Sequence, residues 1–433
     1  MSDYYRDRCR HGGILANSFI EFWWNRQVIT NQYGRPGRAA AKWGEDTLEG
    51  DLSQEVLAAN RKDQNIDNAT NKFRDEDYYA SKEYNLEDIE VPLLSVANWG
   101  GILLHLRGNV EGYTWAGSKF KYLRFITGRH DLPFYYHDEV EIQKSFLDAF
   151  LKGNDVAGWS EPGKVAPVSI VLRKGDVGFN NPTFEAKYKR REELAWPIPR
   201  TQYTKFHLHA DGKLSETAEA TISKKSYKAL GSLENQEVLQ FSTDPFEKDT
   251  EITGHVLARL SVSCTPEIDS DDNDIDLFLT LRYLSAEGKE VHYTGTAGDP
   301  IPLTKGWLRV SMRKVDESNP KHRPYLPYRN YFSTDVLKVQ AEEVYSVDVE
   351  LWPTNVVAEK GSRIVFEVSS GDTQGSGIFK HTSQDDRFVH LFCEFKCCKL
   401  LLTNSRPVRR FAGLNHLNFG KDNYITLPIV PEA

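Results

Sequence analysis

The chain has 433 residues, of which 39% are apolar and 12% are aromatic. This apolar content is enough for a large core and excludes a wholly disordered chain, while the length is typical of two or three domains. A formal net charge of −8, without a dense run of Lys and Arg, argues against a nucleic-acid partner.

The sequence also argues against membrane and secretory segments. No apolar run approaches the ~20 residues that a transmembrane helix needs. Residues 1–10 carry charges where a signal peptide would have an apolar core. The five cysteines are sparse and odd in number, which disfavours a disulfide framework. These features predict a cytoplasmic protein without a membrane partner.

Residues 1–155 have the pattern of a mainly α/β region. Large apolar side chains recur at helical spacing over residues 12–32, which predicts a helix or a helix pair. Residues 40–88 are polar and charged, with helix-compatible stretches and few large apolar side chains. The sequence therefore predicts a surface cap over about 12–88.

Two apolar runs and two helical patterns follow over residues 91–153. Residues 91–97 and 121–127 are typical of buried strands, and a helix is expected between them over 109–119. Residues 138–152 predict an amphipathic helix that ends at Gly153. The alternation of strand and helix indicates parallel pairing with right-handed crossovers.

Residues 156–433 change to short β-rich segments between turn residues. No long helical pattern interrupts them, which favours a β-sandwich or jelly roll. The predicted fold class is therefore α/β plus all-β. The predicted strands are 167–173, 203–209, 251–263, 274–284, 305–313, 344–351, 362–369 and 422–428.

His130 is the first candidate for chemistry, because it follows the predicted strand 121–127 after Gly128 and Arg129. In open α/β sheets, functional side chains collect at the carboxyl ends of strands. Imidazole titrates near neutral pH, as a general base must. The alternative is a solvated loop histidine, and position alone does not separate the two interpretations.

The turn at residues 98–101 follows the other apolar strand. In a hydrolase this turn would carry the carboxylate that orients the histidine. Here the turn contains Gly100 and Gly101 instead, which equally suit a tight connection from strand to loop.

Three further features favour simple structural explanations. Segment 158–163 (GWSEPG) is similar to a hydrolase serine motif, but it follows a helix and contains a proline, so we interpret it as a linker. A cysteine cluster lacks the paired CxxC spacing of structural zinc. An acidic cluster lacks the glycine and final Glu of a calcium loop, which favours a solvated turn. No metal or other cofactor is expected. The clusters are Cys393, Cys397 and Cys398, and Asp269, Asp271, Asp272, Asp274 and Asp276.

Several segments, in this order and spacing, have counterparts in one enzyme family. In the first part they are YRDRCRHGGI (5–14), FWWNRQV (22–28), VPLLSVANWGGILLHLRGN (91–109) and the helix 141–153 ending FLKG. In the second part they are AWPIP (195–199), DIDLFLTL (274–281), GWLRVSMR (306–313), YSVDVELWPT (345–354), GSRIVFEVSS (361–370), NHLNFG (415–420) and LPIVP (427–431). Together they resemble the cocaine-esterase and X-prolyl dipeptidyl-peptidase (CocE/NonD) family of serine α/β-hydrolases, its fungal members above all.

The resemblance implies an α/β-hydrolase domain with a helical cap over residues 1–155. It implies a jelly roll like the X-Pro dipeptidyl-peptidase C-terminal domain over 156–433. A Ser–Asp–His triad would lie at their junction, with His130 as the general base. The implied substrate is a small ester or a peptide or other amide. Plausible walls of its pocket are Trp23, Trp24 and Trp99, for which core packing is the alternative.

The sequence departs from the family pattern in its triad. The Gly-x-Ser-x-x-Gly elbow belongs upstream of Met1, so we expect a truncated chain that is close to inactive alone. The acid position aligns with Gly101. Asp131 and Asp138 are substitutes that the sequence does not place beside His130.

A third departure is segment 388–411, which interrupts a short link and holds the cysteine cluster. We interpret this segment as non-native coding, such as an unspliced intron.

Two functions of different classes remain open from the sequence. The chain is either part of a serine hydrolase or a non-catalytic protein whose jelly roll is a binding or interaction module. In either case, missing sheet strands would leave an open apolar edge, which predicts self-association.

Overall fold

A computed structural model describes most of the chain, with its gaps in the predicted cap and near the C-terminus. The described residues are 2–28, 53–59, 62–267, 272–383, 388–390, 405–407, 409–420 and 422–431. The predicted cap is therefore described only in part. Cys393, Cys397 and Cys398 lie outside the described residues, as do Asp269 and Asp271.

The described helices are short except for two. They are α1 (Asn17–Trp23), α2 (Gln54–Ala59), α3 (Gln64–Thr70), α4 (Asp77–Ala80), α5 (Leu106–Trp115), α6 (His137–Lys152) and α7 (Pro182–Glu185). Single turns of π- or 3₁₀-helix lie at Tyr4–Cys9, Trp24–Val28, Leu86–Asp88, Pro133–Tyr135, Val310–Met312, Ser333–Asp335 and Arg409–Phe411.

The strands concentrate in the second half of the chain. They are β1 (Arg10–His11), β2 (Ile14–Leu15), β3 (Leu93–Asn98), β4 (Lys121–Ile126), β5 (Val168–Leu172), β6 (Lys189–Glu193), β7 (Gln202–Leu208), β8 (Lys213–Ser215), β9 (Ser223–Lys228), β10 (Val238–Thr243), β11 (Thr250–Pro266), β12 (Asp276–Leu284), β13 (Tyr293–Thr294), β14 (Pro300–Ile301), β15 (Thr304–Arg309), β16 (Tyr345–Ala358), β17 (Arg363–Ser369), β18 (Phe388–His390), β19 (Ser405–Pro407), β20 (Gly413–Phe419) and β21 (Tyr424–Val430).

The first sheet contains β3, β4, β5 and β6 in that order. β3 pairs parallel with β4, and β4 pairs parallel with β5, with α5 and α6 as the connections. This is the alternation of parallel strands and helices that the sequence predicts. The predicted boundary at 155/156 falls inside this unit, because β5 and the antiparallel β6 extend the sheet to Glu193. Four of the five residues of β5 are buried, as expected of a strand inside a sheet.

The second sheet is much larger. Among the described residues, eleven strands follow the order β16, β15, β12, β17, β10, β8, β7, β21, β11, β20 and β9. The long strand β11 also pairs with β16 over most of its length, so the sheet curls back on itself. This closure gives the barrel-like sandwich that the short β-rich segments predict.

The two parts pack through one continuous apolar core, to which both sheets contribute. Ion pairs flank that core at the junction. Arg107 on α5 bonds Glu350 on β16 (Nε–Oε1, 2.7 Å), and Arg191 on β6 bonds Glu251 on β11 (Nη1–Oε2, 2.6 Å). The first sheet is therefore held directly against the β-sandwich.

The N-terminal segment differs from its prediction. Instead of one helical region over 12–32, β1 and β2 form a hairpin and α1 starts only after it. Gly12 and Gly13 in the turn have φ of 56° and 91°, which glycine adopts readily and which ends a helix. A Cβ on Gly12 would lie 2.1 Å from the carbonyl oxygen of Trp307. The hairpin therefore packs against β15 only because residue 12 is glycine.

Candidate active site

His130 lies just beyond the carboxyl end of β4. Its backbone N–H donates to the carbonyl of Thr296 (3.0 Å), so the β-sandwich helps to hold its loop. Asn98, at the end of β3, donates through Nδ2 to the carbonyl of Gly128 (2.8 Å). The Asn98–Gly128 bond joins the ends of two parallel strands at the sheet edge where the sequence predicts chemistry.

The His130 side chain is exposed, and its ring stacks on that of His105 with a centroid distance of 4.8 Å. No side-chain hydrogen bond joins this imidazole to any residue in the described ranges. Partial desolvation lowers the pKa of His130 below its usual value of 6.5, while the neighbouring Asp131 opposes the shift. The ring is therefore a free base at neutral pH, as general-base catalysis requires.

In the described part of the chain, no carboxylate forms a hydrogen bond with the His130 imidazole to orient it. Gly101 occupies the turn after β3, where its N–H donates to the carbonyl of Asn98 (2.8 Å). Asp131 pairs with Arg129 (3.2 Å), and Asp138 lies in the first turn of α6. The roles predicted for Asp131 and Asp138 stay predictions.

The three tryptophans have different environments. Trp99 is fully buried, donates through Nε1 to the carbonyl of Val171 (2.9 Å) and stacks on Phe125 with ring centroids 4.0 Å apart. Trp24 is 8% exposed and Trp23 is 37% exposed. No ring contact or hydrogen bond links any of the three to His130 in the described residues. Their predicted pocket role stays a prediction, and Trp99 has the surroundings of the core-packing alternative.

A buried chain of polar groups lies elsewhere, where the β1–β2 hairpin meets the β-sandwich. His11 Nδ1 lies 2.9 Å from His381 Nε2, and His381 Nδ1 lies 3.0 Å from an Asp372 carboxylate oxygen. The other nitrogen of His11 bonds the carbonyl of Asp7 at 2.9 Å. His11 and His381 are each 1% exposed and Asp372 is 7% exposed. We call Asp372, His381 and His11 the buried relay.

The hydrogen bonds of the buried relay define its protonation. A carbonyl only accepts, so His11 Nε2 carries a proton, and in a neutral His11 the ring nitrogen Nδ1 is then an acceptor. Burial acts to raise the pKa of Asp372, but His381 outweighs it and lowers that pKa to about 2. An ionised Asp372 only accepts, so His381 donates to it through Nδ1. Burial, and then the charge interaction with His381, lower the pKa of His11 to about 3.

The buried relay could not be identified from the sequence. His11 and His381 are separated by 370 positions, and neither follows a predicted strand. The nearest signal is the segment YRDRCRHGGI, which carries part of the family resemblance but no role for its histidine.

The serine-like segment 158–163 and the acidic cluster both have structural roles. Ser160 Oγ donates to Asp155 (2.6 Å) in a turn between α6 and β5, and not between a strand and a helix. The prediction of a solvated acidic turn is wrong for Asp274 and Asp276, which are each 2% exposed. Asp274 accepts from the Ser311 hydroxyl (2.6 Å) and Asp276 pairs with the Arg309 guanidinium (2.8 Å). Burial in the β-sandwich is possible because each carboxylate has a partner.

Segment 388–411 is described only at its ends, where β18 pairs antiparallel with β19. The intron interpretation therefore stays a hypothesis. In the described parts of the chain, no helix has both the length and the apolar character of a membrane span.

Comparison with known protein families gives one match that covers more than half of the chain. The profile described as the X-Pro dipeptidyl-peptidase C-terminal non-catalytic domain matches residues 161–419. The match begins within the connection between α6 and β5 and ends with β20.

Individual proteins and solved structures are also similar to this chain. Two proteins named as serine esterases, from Mycobacterium bovis and Mycobacterium tuberculosis, are each 24% identical over 272 residues, covering 57% of this chain and 38% of theirs. The crystal structure of a CocE/NonD family hydrolase from Staphylococcus aureus aligns with a TM-score of 0.73 at 23% identity, covering 99% of this chain and 66% of that one. The structural likeness establishes a shared fold. The chain spans less than two thirds of the length of these relatives.

Proposed function

Because this chain belongs to the family of the X-Pro dipeptidyl-peptidase C-terminal non-catalytic domain, we propose that it forms the histidine-bearing part of a serine-type acyl hydrolase. The proposed substrate is a small ester or amide, including a peptide. One observation carries the proposal: His130 offers an exposed imidazole, without a hydrogen bond in the described residues, at the carboxyl edge of a parallel sheet.

In the proposed reaction, His130 takes the proton of a serine hydroxyl as that oxygen bonds the substrate carbonyl. The protonated imidazole then gives the proton to the departing alcohol or amine, leaving an acyl-serine. Water attacks this ester with His130 again as base, which releases a carboxylic acid and restores the serine. The described residues place no serine and no orienting acid at His130, so both remain unassigned.

Loop placement supports this role. The His130 loop is held at its backbone by Thr296 from the β-sandwich and by Asn98 from the end of β3, while the ring itself stays exposed. A fixed backbone with an accessible imidazole is the arrangement that positions a base before substrate binds.

A second function is favoured by a separate observation. The matching profile describes a non-catalytic domain, and its match covers nearly all of the β-sandwich. The alternative proposal is therefore a binding or interaction module supported by the first sheet.

The test uses the transcript and an ester assay. We would sequence the transcript upstream of Met1, express the longest in-frame chain, and compare it with the 433-residue chain on p-nitrophenyl acetate. The longer chain is expected to hydrolyse the ester, and His130→Ala is expected to lower that rate by about 10³-fold, as loss of a general base does. The matched control is His137→Ala, which removes an exposed histidine on α6 and should keep the full rate.

The 433-residue chain alone is expected at the buffer rate. Hydrolysis that survives His130→Ala would remove His130 from the mechanism. If no elbow is encoded upstream and neither chain hydrolyses the ester, the enzyme proposal fails and the binding module takes its place.

A further inference from the structure

His105 is the one aromatic side chain, among the described residues, whose ring contacts that of His130. The two ring centroids lie 4.8 Å apart and the ring planes meet at 29°, which is a stacked arrangement. The His130 ring is exposed, and no side-chain hydrogen bond fixes it in the part of the chain that the structure describes. Its orientation therefore depends on the contact with His105.

The backbone of His105 is fixed by the turn before it and the helix after it. His105 directly precedes α5, and its N–H donates to the carbonyl of Gly101 (3.2 Å), while its carbonyl accepts from the N–H of Asn109 (2.9 Å). Gly101 in turn donates to the carbonyl of Asn98, the last residue of β3 (2.8 Å). Because β3 and β4 pair in parallel, their carboxyl ends bring the two imidazoles to the same edge of the sheet.

The side chain of Asn98 ties the two loops together. Its Nδ2 donates to the carbonyls of Gly128 (2.8 Å) and Arg129 (3.4 Å), and its Oδ1 accepts from the N–H of Gly100 (2.8 Å). Asn98 is 8% exposed, so the loops cannot move apart without leaving buried polar groups unpaired. The stacking of the two rings therefore follows from a braced backbone.

A base in acyl transfer has to be held in one orientation and has to be stabilised once it carries the proton. In a Ser–His–acid triad a carboxylate does both, but within the described ranges no carboxylate bonds the His130 imidazole. A stacked ring supplies both by other forces. Its contact limits rotation of the imidazole, and the electron-rich face of a neutral ring attracts a cation placed over it.

We propose that His105 is the positioning residue of His130. Its ring orients the imidazole by stacking and, while His105 is neutral, stabilises the imidazolium that forms when His130 takes the serine proton. His130 alone takes and returns that proton, and His105 neither gains nor loses one. The catalytic part of this inference rests on the proposed function, whereas the effect of His105 on the His130 ring does not.

The first test is a histidine NMR titration of the 433-residue chain with the variants His105→Phe and His105→Leu. Phe keeps a flat ring without a titratable nitrogen, and Leu keeps an apolar contact without a ring face. We expect the pKa of His130 to be about half a unit lower in His105→Leu than in His105→Phe, because Leu does not attract the imidazolium. Asp131 and the N-terminal amino group, which also act on this pKa, are the same in both variants.

His207→Leu is the matched control. His207 is another half-buried histidine with a ring contact, to Tyr424 at 5.6 Å, but it lies on β7 in the β-sandwich. Its replacement should leave the pKa of His130 unchanged. Circular dichroism and the unfolding midpoint show whether each variant folds, and His105→Gln, which also lacks an aromatic ring, replaces His105→Leu if that variant unfolds.

The second test is hydrolysis of p-nitrophenyl acetate by the longest in-frame chain. His105→Leu is expected to lower kcat by about tenfold with KM unchanged, since a poorly oriented base slows the reaction without altering the binding of the ester. His105→Phe is expected to keep kcat within about twofold of the unmodified chain.

The two tests separate this inference from the proposed function. If the unmodified longer chain does not hydrolyse the ester, the proposed function fails, and the NMR comparison alone decides whether His105 acts on His130. Equal pKa values of His130 in His105→Phe and His105→Leu would overturn the inference. An active enzyme that keeps its full kcat in His105→Leu would overturn it as well.

Discussion

His130 and the buried relay show the same side chain in two opposite settings. The His130 imidazole is exposed and forms no hydrogen bond within the described residues, whereas both nitrogens of His11 and of His381 are bonded inside the protein. A ring whose nitrogens are both engaged cannot accept a substrate proton without breaking a buried bond. The difference supports the proposed role of His130 as a base and indicates a structural role for the buried relay.

The largest effect is expected at the centre of the buried relay. His381→Ala would leave Asp372 as a buried carboxylate without its histidine partner, and loss of a partner from a buried charge typically costs about 3–5 kcal/mol of unfolding free energy. Urea unfolding of the 433-residue chain measures this loss. His130→Ala is the matched histidine control, and its cost is expected below about 0.5 kcal/mol.

An equal loss of unfolding free energy in the two variants would contradict the difference proposed between the buried relay and His130. A small cost for His381→Ala would show that the buried Asp372–His381 pair contributes little to the stability of the fold.

The next effect is a dependence of stability on pH. His11 and His255 are buried, and desolvation lowers the pKa of each to about 3 from an ordinary value of 6.5. Below about pH 6.5 these two histidines are protonated in the unfolded chain, whereas in the folded chain they stay neutral down to about pH 3. Stability should fall as pH drops through this window, by up to about 1.4 kcal/mol per pH unit for each histidine.

His11→Gln tests that assignment, because it removes one of the two titrating rings and leaves His255. The difference in bound protons between unfolded and folded chain is expected to fall by about one between pH 6 and 4. Urea unfolding at several pH values gives this number, and an unchanged slope would mean that His11 is not held neutral.

A smaller effect is expected at the turn that carries His11. Gly12→Ala places a methyl group against the Trp307 carbonyl, whereas a Cβ on Gly153, also at positive φ, meets nothing within 4 Å. We expect a loss of about 3 kcal/mol at Gly12, from strain and displacement of the hairpin, and about 1 kcal/mol from φ strain alone at Gly153. Thermal unfolding compares the two, and equal costs would show that the hairpin does not depend on this close approach.

Much of the fold could be predicted from local sequence patterns. Residues 121–127 read as a buried strand, and Gly153 ends α6 with φ of 67°, as the sequence predicts. The hairpin at Gly12 was hidden because the apolar spacing continues through it into α1. The pattern of β5 marks a strand but does not tell which sheet it joins, since that depends on a neighbour distant in sequence.

The candidate site could be predicted where it depends on residues that are close in sequence. The position of His130 follows from one strand and the loop after it, both of which are local. The surroundings of Trp99 depend on Phe125 and Val171, and the buried relay depends on two loops 370 positions apart, so neither is visible in a short window. The acidic turn at Asp274 misled the prediction because its partners, Ser311 and Arg410, come from distant segments.

The most direct test of the central claim, that His130 is the accessible base, is a histidine NMR titration of the 433-residue chain from pH 5 to 8. Spectra of His130→Gln and His11→Gln would assign the signals. His130 is expected to titrate with a pKa below 6.5, while His11 stays neutral with its proton on Nε2 throughout. A His130 signal that does not titrate, or a His11 ring that gains a second proton within this range, would contradict the account.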